Sequence, residues 1–166
     1  MIKIIDDFIP HHQFRNIENC IYDIPWSFGT VGIQNDPNDV MLCDPLDNFQ
    51  FVHLFYKDYE ITSQHCNLIL PIIQKLNLRA LIKIKANLNP RTSKIIEHTF
   101  HRDVDYDDSF TSVYYVNSND GYTLFEDGTK VESVGNRMVI FPSNMMHTGS
   151  TCTNQKARVV INFNYF

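Results

Sequence analysis

The sequence predicts a mainly β domain of the α+β class, a barrel or sandwich of short strands with N-terminal helices packed on one sheet. Two patterns carry this. From about residue 78 onward, β-branched and aromatic segments alternate with turn residues. Before that point, apolar residues recur at helical spacing. Length is the third observation. A chain of 166 residues can bury one proper core but not comfortably two. We therefore read residues 1–166 as a single domain, with a helical part over about 1–77 and a β-barrel core over about 78–166.

The elements follow in order. A short strand lies near 2–9. Pro10 opens a helix whose apolar stripe is Phe14, Ile17, Ile21 and Ile24. Pro25 closes it, since proline lacks an amide and restricts the residue before it. Residues 29–47 are rich in Asp, Asn, Pro and Gly and predict a long loop, a lid over a site or a plain surface connection. Residues 49–56 predict a strand. Ser63 is the expected cap of an apolar helix that reaches Leu76 and kinks at Pro71. Strands are then expected near 80–88, 95–101, 110–117, 121–126, 129–134, 137–141 and 157–166. Asn119-Asp120-Gly121 and Glu126-Asp127-Gly128 are the clearest turns.

Strand alternation assigns the faces. In the last strand Val159, Ile161, Phe163 and Tyr165 share one side, and Arg158, Val160, Asn162 and Asn164 share the other. Near residue 82, Ile82, Ile84, Ala86 and Leu88 oppose Lys83, Lys85 and Asn87. The apolar sides suit helices, while the polar sides predict an interior cavity, because polar groups are costly to bury unless something pairs with them.

Composition narrows the function classes. A net charge of -5 without a basic block argues against a nucleic-acid partner. Cys20, Cys43, Cys66 and Cys152 are scattered, so neither a zinc ribbon nor a thioredoxin-like motif is expected. No apolar run approaches the roughly 20 residues of a membrane helix, and none resembles a signal peptide. A cytoplasmic protein with reduced thiols, no membrane and no nucleic acid is the expectation; oligomeric state stays open.

The chemistry-bearing residues lie in the last 66 residues. His101 and Asp103 stand two apart, so on extended backbone both side chains leave one face and can reach one ion. His147-Thr-Gly149 adds a second imidazole, and Arg158 opens the final apolar run. Two imidazoles and a carboxylate with positions left open form the ligand set of non-haem Fe(II) oxygenases. An arginine such as Arg158 binds a carboxylate through its planar fork and stays charged. His-Arg-Asp also occurs in kinase catalytic loops, but Asp108 stands where that loop needs Asn and no glycine-rich phosphate loop is present. Asp105, Tyr106, Asp107 and Asp108 read as an acidic solvated turn, with substrate contact as the alternative. Lys83, Lys85 and Asn87 read either as strand-edge protection or as cavity residues.

These motifs together carry a resemblance. His101-x-Asp103, Ser112-Val-Tyr-Tyr115-Val-Asn117, Gly121-Tyr-Thr-Leu-Phe125, Arg137-Met-Val-Ile-Phe141 and His147-x-Gly149, closed by Arg158 to Phe166, resemble the Fe(II)/2-oxoglutarate-dependent dioxygenase superfamily. The prolyl-hydroxylase-like branch is the most similar. Asp6-Asp7-Phe8-Ile9 and the helix after it resemble that family's N-terminal segment. The match is dense from Ala80 onward and thin between Thr30 and Thr62.

The resemblance implies a double-stranded β-helix, a jelly-roll barrel with helices on one sheet. It implies Fe(II) held by His101, Asp103 and His147, and 2-oxoglutarate as co-substrate. The distal carboxylate of 2-oxoglutarate would rest on Arg158 and Tyr115, with Val113, Val160 and Asn162 lining the cavity. Ascorbate is an auxiliary reductant it also suggests. The implied activity is hydroxylation of a C–H bond with release of succinate and CO2. A peptidyl proline is the first candidate substrate, and a free amino acid or other small metabolite the second. Asp103 favours hydroxylation, since halogenating relatives carry a small residue there. Asn164 stands where base-demethylating relatives have a second Arg and some prolyl hydroxylases have Trp. The competing class is a cupin-like metal protein that makes no use of 2-oxoglutarate and needs no carboxylate clamp. An inactive interaction module would leave the intact triad unexplained.

Overall fold

The computed structural model of the protein describes residues 1–31 and 49–166. Its chain begins with strand β1 (Lys3–Ile5), helix α1 (His11–Cys20) and a single 3-10 turn (Ile21–Asp23). Strand β2 (Ser27–Thr30), strand β3 (Phe49–Lys57), the short β4 (Glu60–Ile61) and helix α2 (Leu70–Leu76) follow. The remainder is β5 (Leu81–Pro90), β6 (Phe110–Tyr115), β7 (Tyr122–Phe125), β8 (Lys130–Glu132), β9 (Arg137–Pro142), β10 (His147–Gly149) and β11 (Ala157–Tyr165). Among the described residues the strands form two antiparallel sheets. The larger runs β1-β9-β6-β11-β5-β3-β2 with β4 on β3, and the smaller runs β10-β7-β8.

The two faces of β11 explain the layering. Every residue of this central strand is buried. Val159, Ile161, Phe163 and Tyr165 join Ile17, Ile21 and Ile72 in one apolar core, which seats both helices on the outer side of the large sheet. Each fully buried isoleucine there stabilises the packing by roughly 1.5–3 kcal/mol. A second cluster, with Val113, Tyr115, Phe125, Val139, Phe141 and Val160, joins the large sheet to the small one. The site lies between the sheets.

Asn136 ties the N-terminal segment to this frame. At a φ of 65°, a value asparagine tolerates better than most residues, it accepts the Ile9 N–H and donates to the Ile9 carbonyl. Its carboxamide oxygen also accepts the Tyr114 hydroxyl.

Four expectations need correction. Ser63 does not cap a helix reaching Leu76. It is buried, hydrogen-bonds His53 Nε2 and accepts the His65 N–H in a local turn. α2 starts only at Leu70, so Pro71 sits in the first turn, where its missing N–H costs nothing, and produces no kink. Of the expected loop 29–47, Gly29 and Thr30 belong to β2 and Val31 follows it, while 32–48 lie outside the described residues. Ile82 is displaced from the core face: the register of β5 on β11 slips between Asn164 and Tyr165, so Leu81, not Ile82, packs against the core.

The fourth correction bears on the site. Residues 95–101 form no strand and make only two isolated antiparallel bridges, Glu97 to Ser150 and His101 to His147. Four steps on one side face three on the other, so an extra residue breaks the ladder. Such an irregularity re-aims side chains. The Thr148 hydroxyl fills the break by donating to the His98 carbonyl at 2.7 Å.

Candidate active site

Two reciprocal backbone bonds place the imidazoles side by side. The His101 N–H donates to the His147 carbonyl at 2.9 Å, and the His147 N–H donates to that of His101 at 3.1 Å. The ring centroids are 4.8 Å apart. Asp103, two residues on, brings its carboxylate to the same side, with Oδ1 3.6 Å from His101 Nε2. One ligand atom from each of His101, Asp103 and His147 lies within 4.8 Å of the others.

The tautomers follow from the partners. His101 Nδ1 lies 3.0 Å from the Thr99 carbonyl, and His147 Nδ1 lies 3.1 Å from that of Met145. A carbonyl only accepts, so both Nδ1 atoms carry the proton and both Nε2 atoms keep a lone pair. This is how metal-binding histidines are oriented. His147 is buried against the Phe141 ring at 4.7 Å, and burial lowers its pKa. Burial alone would raise the Asp103 carboxyl. The approach of His101 and the charge both histidines carry when protonated outweigh it and hold the group well below the usual carboxylate range. The Asp103 carboxylate 3.6 Å away raises His101 in turn. An anionic carboxylate beside two imidazoles, with both Nε2 atoms free to ligate once His101 gives up its proton, fits a divalent cation.

Asn164 escaped the sequence reading as a site residue. Its Nδ2 donates to Asp103 Oδ2 at 3.2 Å and to Thr111 Oγ1 at 3.0 Å, and a longer contact of 3.5 Å comes from Asn162. The signal was available, because Asn164 shares the cavity face of β11 with Arg158. Asn164→Leu should preserve shape and remove this support. We expect Fe(II) affinity, measured by chelator competition, to fall about tenfold at little cost in stability. An unchanged affinity would deny Asn164 any part in holding Asp103.

Arg158 is buried, with Nε donating to Ser133 Oγ at 2.9 Å and Nη2 to Thr123 Oγ1 at 3.1 Å. Its guanidinium carbon lies 5.6 Å from the centre of the Tyr115 ring. The Tyr115 hydroxyl donates to the same Thr123 oxygen at 2.8 Å, so Thr123 links the two residues expected to share a carboxylate. Burial raises the Tyr115 pKa and lowers that of Arg158. Burial, with Arg158 and His101 adding their repulsion, pushes His98 down to about 4, so this neighbour is neutral.

Two glycines make room for the guanidinium. A Cβ at Gly149 would stand 3.2 Å from Arg158 Nη1. A Cβ at Gly121 would stand 2.6 Å from the Thr151 carbonyl oxygen and 2.7 Å from Arg158 Cδ. Gly121→Ala is therefore expected to destabilise the domain by about 1–3 kcal/mol in denaturant titrations, as overpacked sites do. Wild-type stability would mean that both the Thr151 backbone and Arg158 shift freely.

A cavity of about 420 Å³ joins these parts. His101, Asp103, His147, Arg158, Val113, Val160 and Asn162 all line it. Tyr115 is not on its wall and reaches it only through Thr123. Lys83, Lys85 and Asn87 are on the wall, joined by Asn89, Gln50 and His98, for which no role was expected. Asp105, Tyr106, Asp107 and Asp108 are exposed or lie off the wall, consistent with a solvated turn. No helix among the described residues is long and apolar enough to cross a membrane.

No protein-family model matches the sequence, and no curated protein matches it either. Solved structures do match in shape. A 2OG-Fe(II) oxygenase family oxidoreductase from Burkholderia pseudomallei superposes with a TM-score of 0.69 at 12% identity, over 99% of this chain and 84% of that one. A prolyl hydroxylase from Trichoplax adhaerens, in complex with a hypoxia inducible factor oxygen degradation domain peptide fragment, gives 0.63 at 13% identity over 99% and 83%. A viral collagen prolyl hydroxylase from Paramecium Bursaria Chlorella virus-1, in its 2OG complex, gives 0.62 at 14% identity over 98% and 94%. The chain has the double-stranded β-helix fold of these solved structures.

Proposed function

We propose that this chain is an Fe(II)- and 2-oxoglutarate-dependent dioxygenase that hydroxylates a substrate C–H bond. The observation that carries the reading is the joint presence, in one cavity, of the His101, Asp103 and His147 ligand atoms within 4.8 Å and a buried arginine without an acidic partner among the described residues. A cupin-like metal protein has use for the first and none for the second.

In this reading the carbonyls of Thr99 and Met145 fix both imidazoles with Nε2 toward the metal, and Asp103 supplies the anionic ligand. Arg158, with Tyr115 behind Thr123, would hold the distal carboxylate of 2-oxoglutarate, and Val113 and Val160 would offer it apolar wall. Phe141 and Phe125 shield His147 from water. When bound, Fe(II) and 2-oxoglutarate supply the oxidising chemistry, in which O2 is consumed, succinate and CO2 are released and a substrate C–H becomes C–OH. Ascorbate would serve only to keep the iron reduced.

Fe(II) and 2-oxoglutarate, added together without oxygen, should give the weak visible charge-transfer band of chelated iron. Succinate should form once air is admitted. Metal binding without a band would return the chain to the cupin-like class. Hydroxylation of a peptidyl proline rests on likeness in fold to solved prolyl hydroxylases, and the residues around the metal favour a different substrate.

A further inference from the structure

The wall between the metal ligands and the mouth of the cavity is built from two paired strands. On the register of β11 with β5, Asn164 lies opposite Lys83, Asn162 opposite Lys85, Val160 opposite Asn87 and Arg158 opposite Asn89. Alternation sends all eight side chains to the cavity side, and most of them line it. The lysines therefore stand at the Asp103 end, beside the two asparagines that contact Asp103, and Arg158 stands at the other.

Spacing makes these separate sites. Arg158 is four residues from Asn162 and six from Asn164, which at roughly 3.3 Å per residue is about 13–20 Å along the strand. A five-carbon diacid held by Arg158 cannot also place that carboxylate on the lysines. Charge points the same way. A metal dication with Asp103, and a dianionic co-substrate with Arg158, cancel one another. Lys83 and Lys85 are left over, and neither makes an ion pair among the described residues, whereas Arg102 nearby pairs with Asp105. Burial and the neighbouring Lys83 charge depress Lys85 against the pull of Asp103, a balance that an added anion would tip toward the charged ammonium.

The carboxamides add a second requirement. Asn87 Oδ1 and Asn162 Oδ1 are buried without a hydrogen-bond donor, as are Asn89 Oδ1 at the Arg158 end and Asn164 Oδ1 beside Asp103, a state native interiors rarely leave unanswered. A ligand here needs N–H or O–H groups as well as negative charge. A peptidyl prolyl ring offers neither, since its amide nitrogen carries no hydrogen.

We infer that Lys83 and Lys85, with Asn87 and Asn162 beside them, form a second anion site that selects a small substrate bearing a carboxylate or phosphate together with hydrogen-bond donors. The inference rests on the dioxygenase reading for the word substrate, but the anion site itself can be tested separately. Protein holding Fe(II) and 2-oxoglutarate without oxygen would be titrated calorimetrically with L-aspartate, O-phospho-L-serine and the neutral N-acetyl-L-prolinamide. The expected result is binding of at least one acid and not of the prolinamide. The double variant Lys83→Met, Lys85→Met should weaken that acid by about tenfold or more, as losing a charged partner does, with 2-oxoglutarate affinity unchanged. Whether aspartate or phosphoserine binds more tightly decides between carboxylate and phosphate. Binding of neither acid, equal binding by the double variant, or preference for the prolinamide overturns the inference. Lysine-dependent acid binding without a charge-transfer band would keep the anion site and remove the dioxygenase reading instead.

Discussion

Asp103→Ala is expected to abolish both the charge-transfer band and succinate formation. The two imidazoles remain in that variant, because their geometry comes from backbone bonds between residues 101 and 147 that do not involve the carboxylate. What disappears is the one anionic donor of the triad, whose side chain is only 7% exposed and is already ionised by its surroundings. Since weakening only the supports of a metal ligand costs about 10–100-fold in affinity, removing the ligand should cost more than about 100-fold. Chelator competition measures that loss directly, and circular dichroism checks that the β domain is intact. A wild-type band in Asp103→Ala would refute the metal assignment. Loss of succinate with the band retained would shift Asp103 from holding the metal to a later step.

Most of this site was legible because its parts follow strand alternation. His101 with Asp103, and Arg158 with Val160 and Asn162, were readable from which residues share a face, while His147 came from its motif and Val113 from the resemblance; all of them line one cavity. Asn164 shared that face too, but a residue that hydrogen-bonds a ligand carries no spacing signature of its own. Thr123 was hidden for a similar reason. It joins Arg158 to Tyr115 only because β7 of the small sheet crosses over the large one, which is tertiary information. Two of the four failures lie where the ladder is irregular. Residues 95–101 have strand composition, yet the mismatch against 147–150 leaves two bridges in place of a strand. The slip beside Tyr165 likewise exchanged Ile82 for Leu81 on the core face. Alternation cannot foresee an inserted residue, because one extra residue reverses every assignment beyond it. That irregularity lies next to His101, so the least legible stretch is also the one that aims a metal ligand.

Arg158→Met should reduce 2-oxoglutarate affinity by about 30-fold or more, since truncating one partner of a buried charged pair costs about 2–5 kcal/mol. Its effect on stability should run the other way. Arg158 is 2% exposed, and its charge is met in the free protein by two hydroxyl groups and the Tyr115 ring, with no carboxylate among the described residues. A cation–π contact and neutral acceptors recover only part of the several kcal/mol that burying an ion costs. The free protein therefore stores an electrostatic penalty that a dianionic ligand relieves. Methionine fills similar volume without the charge, so the free variant should melt no lower than wild type. Wild type should gain stability on adding metal and 2-oxoglutarate, about 2.7 kcal/mol at one hundred times the dissociation constant, and the variant should gain little. Paired thermal melts with and without 2-oxoglutarate read both effects at once. If Arg158→Met melts far below wild type while binding 2-oxoglutarate normally, Arg158 is a structural strut of the small-sheet interface, and the cupin-like class becomes the better reading of this cavity.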